Sequence, residues 1–285
     1  MRFILLIFEV GTLWILCRLL VRFNFSQRAV LIYALNPLVV IEITGNLHFE
    51  GVMVFFLMLS LFLLTLNRTW FSTICFALSV CTKLIPLLFL PVLPRFLGWK
   101  KAMIYWLITG VLTLIFFVPL LRTGIVHGFS TSLGYYFQKF EFNASLYYLI
   151  RAGGFALAGF NIIQYAGPLL AVAAAMVICY IAFRHSSQRE YGVTTKIFSV
   201  MMWCLFVYFL STTILHPWYI ITLLSLSIFT SYRFPIVWTG LIFVTYAGYT
   251  KEGFDENLWL VAFEYVILFA LVLYETLWKR KAANS

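Results

Sequence analysis

Charge is scarce in this sequence, and aspartate is almost absent. Only 11% of the 285 residues are Asp, Glu, Lys or Arg, whereas 63% are hydrophobic and the mean hydropathy is +0.98. Soluble globular domains contain about 25% charged residues, so this composition excludes an ordinary soluble domain. The sequence predicts an all-α, polytopic integral membrane protein.

Cysteine motifs are missing as well. Five cysteines are present, and none belongs to a CxxC motif or has the spacing of metal ligands. We expect them to be small buried apolar residues, and we expect neither a metal nor a cofactor. The net charge of +10 does not call for nucleic acid as a partner, because basic cytoplasmic loops account for it.

The long apolar runs predict about eight full membrane spans. They extend from residues 2–21 near the N-terminus to residues 258–278 near the C-terminus. A helical span needs about 20 apolar residues to cross a hydrocarbon core of about 30 Å. An interfacial segment rich in Tyr and Phe, within residues 122–151, is expected in addition to these spans.

One apolar stretch is too short to be a plain span. Residues 70–82 would form only about 20 Å of helix at 1.5 Å per residue, and Lys83 and Pro86 follow directly. Basic residues at both ends of 70–95 favour a broken hairpin that enters and leaves on one side, with Lys83 at its inner tip. A single bent span is the alternative.

Basic residues predict the orientation. Most of the 20 Lys and Arg residues fall in loops that this assignment places on one side of the membrane, which the positive-inside rule makes cytoplasmic. The C-terminus is then cytoplasmic and Met1 external. Residues 42–50, 122–151 and 216–219 all fall on the outer face, and Lys83 extends towards them.

The stretch 33–60 concentrates polar groups between two apolar runs: Glu42, Asn46, His48 and Glu50 lie within nine residues. A charged side chain at bilayer depth costs about 2.5–3.5 kcal/mol on insertion scales, and such residues usually face a cavity or a functional site. The alternative is a hairpin whose polar tip simply touches water.

The polar residues of the outer face have complementary chemistry. Lys83 can hold a phosphate, carboxylates and amides can hold hydroxyls, and aromatic rings such as Trp218 and Tyr219 offer flat apolar walls. A Glu or His near a reacting hydroxyl can act as general base. This set predicts a site for a lipid-phosphate sugar, and it equally fits a transporter that moves a polar solute past charges within the membrane.

Three motifs carry a family resemblance. NPLVVIEITGNLHFEG, KLIPLLFLP and HPWY, in this order, resemble the C-type membrane glycosyltransferases, and most closely their bacterial mannosyltransferase branch. The resemblance implies inverting, metal-independent transfer of a hexose, mannose in the nearest branch, from a polyprenyl-phosphate sugar to a lipid or glycan acceptor. It also implies a site on the outer face of a bacterial inner membrane.

The chemistry of the residues and the resemblance together give the candidates for individual roles. The resemblance itself implies that Lys83 meets the lipid phosphate, and that His216, Trp218 and Tyr219 line the sugar site. The candidates for catalysis are Glu42, Glu50 and His216. The candidates for substrate binding are Asn46, His48, Lys83, Lys139, Glu141, Trp218 and Tyr219. Lys83 is expected to hold the lipid phosphate, so Lys83→Met should abolish donor binding and leave folding nearly intact.

One feature of the family is missing from the sequence. Its main catalytic carboxylate is usually an Asp in a large first outer loop, whereas the single Asp here is Asp255, in a late loop. We therefore expect residues 1–285 to form one domain of an N-terminally shortened member, with Glu42 or Glu50 as the alternative base. A transporter or lipid flippase and a non-catalytic homologue are the other interpretations.

Overall fold

The computed structural model describes residues 1–121, 128, 140–184, 194–250 and 253–284. This part of the chain is almost entirely helical, which confirms the all-α prediction; its sheet consists of two antiparallel two-residue strands, β1 (Tyr249–Thr250) and β2 (Gly253–Phe254). The helices are α1 (Arg2–Arg22), α2 (Leu31–Ala34), α3 (Pro37–Val39), α4 (Glu50–Thr65), α5 (Thr69–Thr82), α6 (Leu93–Leu97), α7 (Trp99–Leu121), α8 (Leu146–Ala158), α9 (Ile163–Arg184), α10 (Lys196–Ser211), α11 (Ile220–Ser227), α12 (Phe234–Leu241) and α13 (Leu258–Asn284).

Four helices of the described chain are long and apolar enough to cross a membrane by themselves. They are α1, most of α7, α9 and most of α13. A bent pair, Gln27–Ala34 and Pro37–Gly45, adds a fifth if it counts as one span. The other apolar helices have fewer than 18 residues. The outward faces of the long helices are apolar, as in Leu114, Leu169 and Val266, so the chain is an integral membrane protein; about eight spans remains a prediction.

The 54° bend of that pair has a local cause. Asn36 ends the first helix, its side chain accepts a hydrogen bond of 3.0 Å from the Leu38 amide, and Pro37 starts the next helix without needing a donor. The Asn36 amide also donates 2.8 Å to Thr239 Oγ1, which ties the bend to α12. A π-helical turn, Val40–Gly45, follows and places Glu42 in the protein interior.

The path of residues 69–121 resembles a hairpin followed by a span. Helix α5 runs beside α4 until Lys83, which contacts Glu50 at the start of α4. A 3-10 helix, Ile85–Val92, and α6 then lead to α7, where the Tyr105 hydroxyl lies 2.9 Å from Ser72 near the start of α5. Because the chain has returned to the end where α5 began, these contacts favour the hairpin over a single bent span.

Ends of helices converge on one polar region. The π-helical turn, the start of α4, the end of α5 and the 3-10 helix Pro217–Tyr219 meet there, as does a second 3-10 helix, Ile242–Gly248. The opposite ends of α1 and α4 are joined by a hydrogen bond from Arg22 to the Thr65 carbonyl. The polar region therefore lies at the end of the bundle away from Arg22 and Arg68.

Candidate functional site

Glu42 is the centre of a cluster of hydrogen-bond donors. Its carboxylate is fully buried and accepts 3.1 Å from Asn46 Nδ2, while His48 Nε2 lies 3.3 Å from Oε2. The Tyr246 hydroxyl donates to the other oxygen, Oε1. A carboxylate that accepts two hydrogen bonds and lies against an imidazole nitrogen has a fixed position and orientation. We call Glu42, Asn46, His48 and Tyr246 the Glu42 cluster.

The geometry of this cluster suits proton transfer. Glu42 Oε2 lies 3.3 Å from Nε2 of His48, so the tautomer with its proton on Nε2 would face the carboxylate and leave Nδ1 with its lone pair. The His48 side chain is 26% exposed, whereas Glu42 is buried. A buried carboxylate that orients a partly exposed imidazole is an arrangement that general-base catalysis uses.

Lys83 forms an ion pair with Glu50 beside the Glu42 cluster. Glu50 is fully buried, while the Lys83 side chain is 26% exposed and its ammonium lies 4.9 Å from the centre of the Tyr219 ring. Helix α5 ends at Thr82, and Lys83 is extended, which aims the side chain across α4. An ammonium has three donors, so the contact with Glu50 leaves capacity for a second anionic ligand.

Aromatic rings connect the two polar groups to the HPWY motif. The ring of His48 stacks on Trp218 at 3.6 Å between centroids, and the ring of His216 stacks on Trp218 at 4.4 Å. Phe142 contacts His216 at 4.7 Å. Since Pro217 starts a 3-10 helix, the three residues that follow His216 are held close together.

His216 is a neutral imidazole. Burial, followed by the charges of Lys83 and His48, lowers its pKa from the ordinary 6.5 to about 4. Its Nδ1 is buried and has no hydrogen-bond partner within the described residues. His216 is therefore suited to accept or donate a hydrogen bond to a ligand rather than to carry a positive charge.

The structure brings together most of the predicted site residues. Eight of them share this region: Glu42, Asn46, His48, Glu50, Lys83, His216, Trp218 and Tyr219. Lys139 lies outside the described residues. Glu141 belongs to a different group, where it binds Arg151 and Asn161 and accepts 3.1 Å from Tyr147.

Two contributors were not predicted. Tyr246 lies 204 positions from Glu42 in the sequence, in a run that reads as an apolar span. Glu256 lies beside Tyr148 and the Asn143 amide, in a loop that reads as an ordinary acidic connection. Neither residue stands in a motif, so only tertiary contact reveals them. Within the described chain, no three His, Cys, Asp or Glu side chains are placed to hold a metal ion.

Comparison with known proteins gives one match. Residues 1–100 match the MptA/B family, described as alpha-(1->6)-mannopyranosyltransferase, N-terminal domain. No curated protein and no solved structure matches the chain. The matched part contains Glu42, Asn46, His48, Glu50 and Lys83 and ends before the HPWY motif. The N-terminal 100 residues are thus similar to a mannosyltransferase-like membrane glycosyltransferase.

Proposed function

We propose that this protein transfers a hexose, mannose by similarity, from a polyprenyl-phosphate sugar to a glycan or lipid acceptor at the outer face of a bacterial inner membrane. The observation that supports this most is the meeting of the Glu42 cluster with the Lys83–Glu50 pair. Apart from Tyr246, the residues of both lie within the 100 residues that match the mannosyltransferase family.

Lys83 is the candidate ligand of the donor phosphate. Its compact ammonium is partly exposed and has donors to spare beyond Glu50. In the transfer step the bond between sugar C1 and the phosphate oxygen breaks, and its electron pair remains on the polyprenyl phosphate. A cation near that oxygen stabilises the charge that develops there.

Glu42 and His48 are the candidates for removing the proton from the acceptor hydroxyl. The acceptor oxygen bonds to C1 and loses its proton to a base, and the Glu42–His48 pair is arranged to take it. Glycosyl transfer passes through a state with positive charge on the sugar ring, which a nearby carboxylate stabilises. Asn46, His216, Trp218 and Tyr219 would line the sugar. Glu50 is better placed to position Lys83 than to act as base, because it is buried against the ammonium.

The outer-face location follows from the positive-inside rule. Arg22 and Arg68 lie at one end of the bundle, and Glu42, Glu50 and Lys83 lie at the other. If the arginine end is cytoplasmic, the polar region opens to the outside, and the C-terminus is cytoplasmic.

A transporter or lipid flippase is the second candidate. The observation that favours it is the Lys83–Glu50 pair itself, since ion pairs within membrane proteins also occur along solute pathways.

A transfer assay distinguishes the two functions. The purified 285-residue chain is reconstituted in vesicles with a radiolabelled polyprenyl-phosphate mannose and a mannoside acceptor. We expect label in the extended mannoside. Movement of the labelled lipid between leaflets, without label in the mannoside, would support the flippase instead.

A further inference from the structure

A second polar region opens on a cavity of about 420 Å³. Its lining includes Phe140, Glu141, Tyr148, Arg151, Phe254 and Glu256. A cavity of this size falls within the range of about 300–1,000 Å³ that small-ligand sites occupy. None of these side chains has a function in the transfer step described above. We call this region the Glu256 cavity.

One wall of the cavity is rigid. Glu141 binds Arg151 and Asn161, and it accepts 3.1 Å from the Tyr147 hydroxyl. Arg151 also lies over the ring of Tyr148, 4.5 Å from its centre. Tyr148 and Arg151 are three residues apart on α8 and so share one face of the helix. A fixed guanidinium and a fixed hydroxyl therefore point to the same space.

The opposite wall is built on Glu256. Its Oε1 accepts 2.6 Å from the Asn143 amide, and its Oε2 accepts from the Tyr148 hydroxyl. Burial raises the pKa of Glu256 to about 7, the Asn143 amide opposes this, and Glu141 adds to it. A carboxyl that is half protonated near neutral pH can both donate to and accept from a ligand hydroxyl.

The charge of the cavity disfavours phosphate. Three lining residues are acidic, Glu141, Asp255 and Glu256, and Arg151 is the basic residue of the lining. Arg151 and Glu141 neutralise each other, so Asp255 and the ionised fraction of Glu256 leave the lining with a net negative charge. Phe140 and Phe254 add apolar walls, and carboxylates between aromatic rings suit a neutral polyhydroxylated ring.

The cavity adjoins the Glu42 and Lys83 region through aromatic rings. Phe142 stacks on Phe254 at 5.0 Å and contacts His216 at 4.7 Å. Its backbone is fixed by hydrogen bonds to Thr213 and Leu215 of 3.0 and 2.8 Å. A glycan chain in the cavity could therefore end near the sugar that the first region holds.

We infer that the Glu256 cavity binds the neutral glycan end of the acceptor, as a subsite separate from the phosphate-binding region. This inference rests on the proposed function because it makes the bound glycan the acceptor. Binding of the glycan itself does not require transfer. The residues that hold the ligand are Tyr148, Phe254 and Glu256, with Glu141 and Arg151 as the rigid wall.

The test measures binding of α-1,6-mannobiose to the full chain in nanodiscs, and saturation-transfer NMR detects the bound disaccharide. We expect the disaccharide to bind, and Glu256→Gln and Phe254→Ala each to weaken binding at least tenfold. Glu275→Gln is the matched control. It is the same substitution at a carboxylate that accepts hydrogen bonds from the Arg233 and Phe234 amides, away from the cavity. Thermal unfolding checks that each variant is folded.

The outcomes separate the two proposals. Absence of mannobiose binding to the folded wild type, or equal binding in wild type, Glu256→Gln and Phe254→Ala, overturns the subsite. Binding that depends on Glu256 without any transfer from the labelled donor keeps the subsite and overturns the transferase. Transfer whose KM for the mannoside is unchanged in Glu256→Gln and Phe254→Ala keeps the transferase and overturns the subsite.

Discussion

The two polar regions of this protein use carboxylates in opposite ways. Around Glu42 and Glu50, each buried carboxylate has dedicated partners: Glu42 accepts two hydrogen bonds and contacts His48, and an ammonium binds Glu50. In the Glu256 cavity, the carboxyl of Glu256 has no cationic partner of its own, and burial raises its pKa to about 7. The first arrangement offers the remaining donors of a partly exposed ammonium to a phosphate, and the second offers a partly protonated carboxyl that suits hydroxyl groups.

The comparison also separates parts of the sequence. Glu42, Glu50 and Lys83 come from the first 100 residues, which match the mannosyltransferase family. The cavity is built from residues 140–151 and 254–258, outside that match. In the proposed function, the carboxylates and the cation of the transfer step come from the N-terminal part, whereas later segments build the acceptor cavity.

The largest effect is expected in a labelling test of membrane topology, because a residue is either accessible from outside or not. The account requires both polar regions to lie on the outer face. Ser231 and Thr250 are exposed and flank α12 and the 3-10 helix Ile242–Gly248. These 8 and 7 residues extend over about 26 Å at helical and 3-10 rises, enough to cross most of a bilayer core. An impermeant maleimide should label Thr250→Cys and not Ser231→Cys in sealed right-side-out vesicles.

Unsubstituted protein measures the background from its five cysteines. If both engineered positions react from one side, the segment does not cross the membrane, and the placement of the cavity on the outer face fails with it.

The largest graded effect is expected at Glu42. Glu42→Gln keeps the size of the side chain and removes the negative charge that orients His48. Because general-base catalysis contributes about 10²–10⁴-fold, the transfer rate should fall by at least about 100-fold with little change in stability. The labelled-donor assay measures it, with Glu275→Gln as control; a rate within threefold of wild type would remove Glu42 from the mechanism.

Lys83 should affect stability as well as binding. The sequence alone predicts that Lys83→Met folds almost normally, but the structure shows that Lys83 is the ionic partner of a fully buried Glu50. Removing one member of such a pair leaves an uncompensated carboxylate, and we expect a loss of about 3 kcal/mol, at the low end for buried pairs because Lys83 is partly exposed.

The double variant Lys83→Met/Glu50→Gln provides the control, since it removes both charges. It should recover most of the lost stability in thermal unfolding and still fail to bind a polyprenyl phosphate. If the single and double variants unfold at the same temperature, the pair has no structural role.

Glu256 should give a smaller, pH-dependent effect. Its folded pKa of about 7 exceeds the ordinary 4.5, so its contribution to stability is complete below pH 4.5 and is lost as the pH rises through 7. Glu256→Gln should remove a decline of about 1–2 kcal/mol between pH 5 and 7.5, allowing for partial exposure. Equal pH profiles of unfolding for wild type and variant would contradict the raised pKa.

Many residues of the region around Glu42 and Lys83 could be predicted from the sequence, because their immediate sequence context is unusual. Charged residues within apolar runs, such as Glu42 and Lys83, are costly at bilayer depth and therefore conspicuous. The uneven distribution of Lys and Arg between loops predicts that these residues lie on the same side of the membrane. Their pairing could not be predicted, since Lys83 contacts Glu50 across 33 positions through the packing of α4 against α5.

The Glu256 cavity could not be predicted from the sequence, and the reason is physical. Glu256 and Tyr148 lie in polar, aromatic segments where charge is common and carries little information, and they meet across 108 positions. Glu141 was predicted to bind substrate, and it lies in this region rather than beside Glu42. The number of spans was equally hard to fix, because several helices end early at Pro, 3-10 or π-helical turns.

The central claim is that phosphate and neutral glycan bind in separate regions, and a crossed binding experiment tests it most directly. Wild type, Lys83→Met/Glu50→Gln and Glu256→Gln are each titrated with a polyprenyl phosphate and with α-1,6-mannobiose. The account predicts that the double variant loses only the phosphate and that Glu256→Gln loses only the disaccharide. Loss of both ligands in either folded variant, or of neither ligand in both, would contradict it.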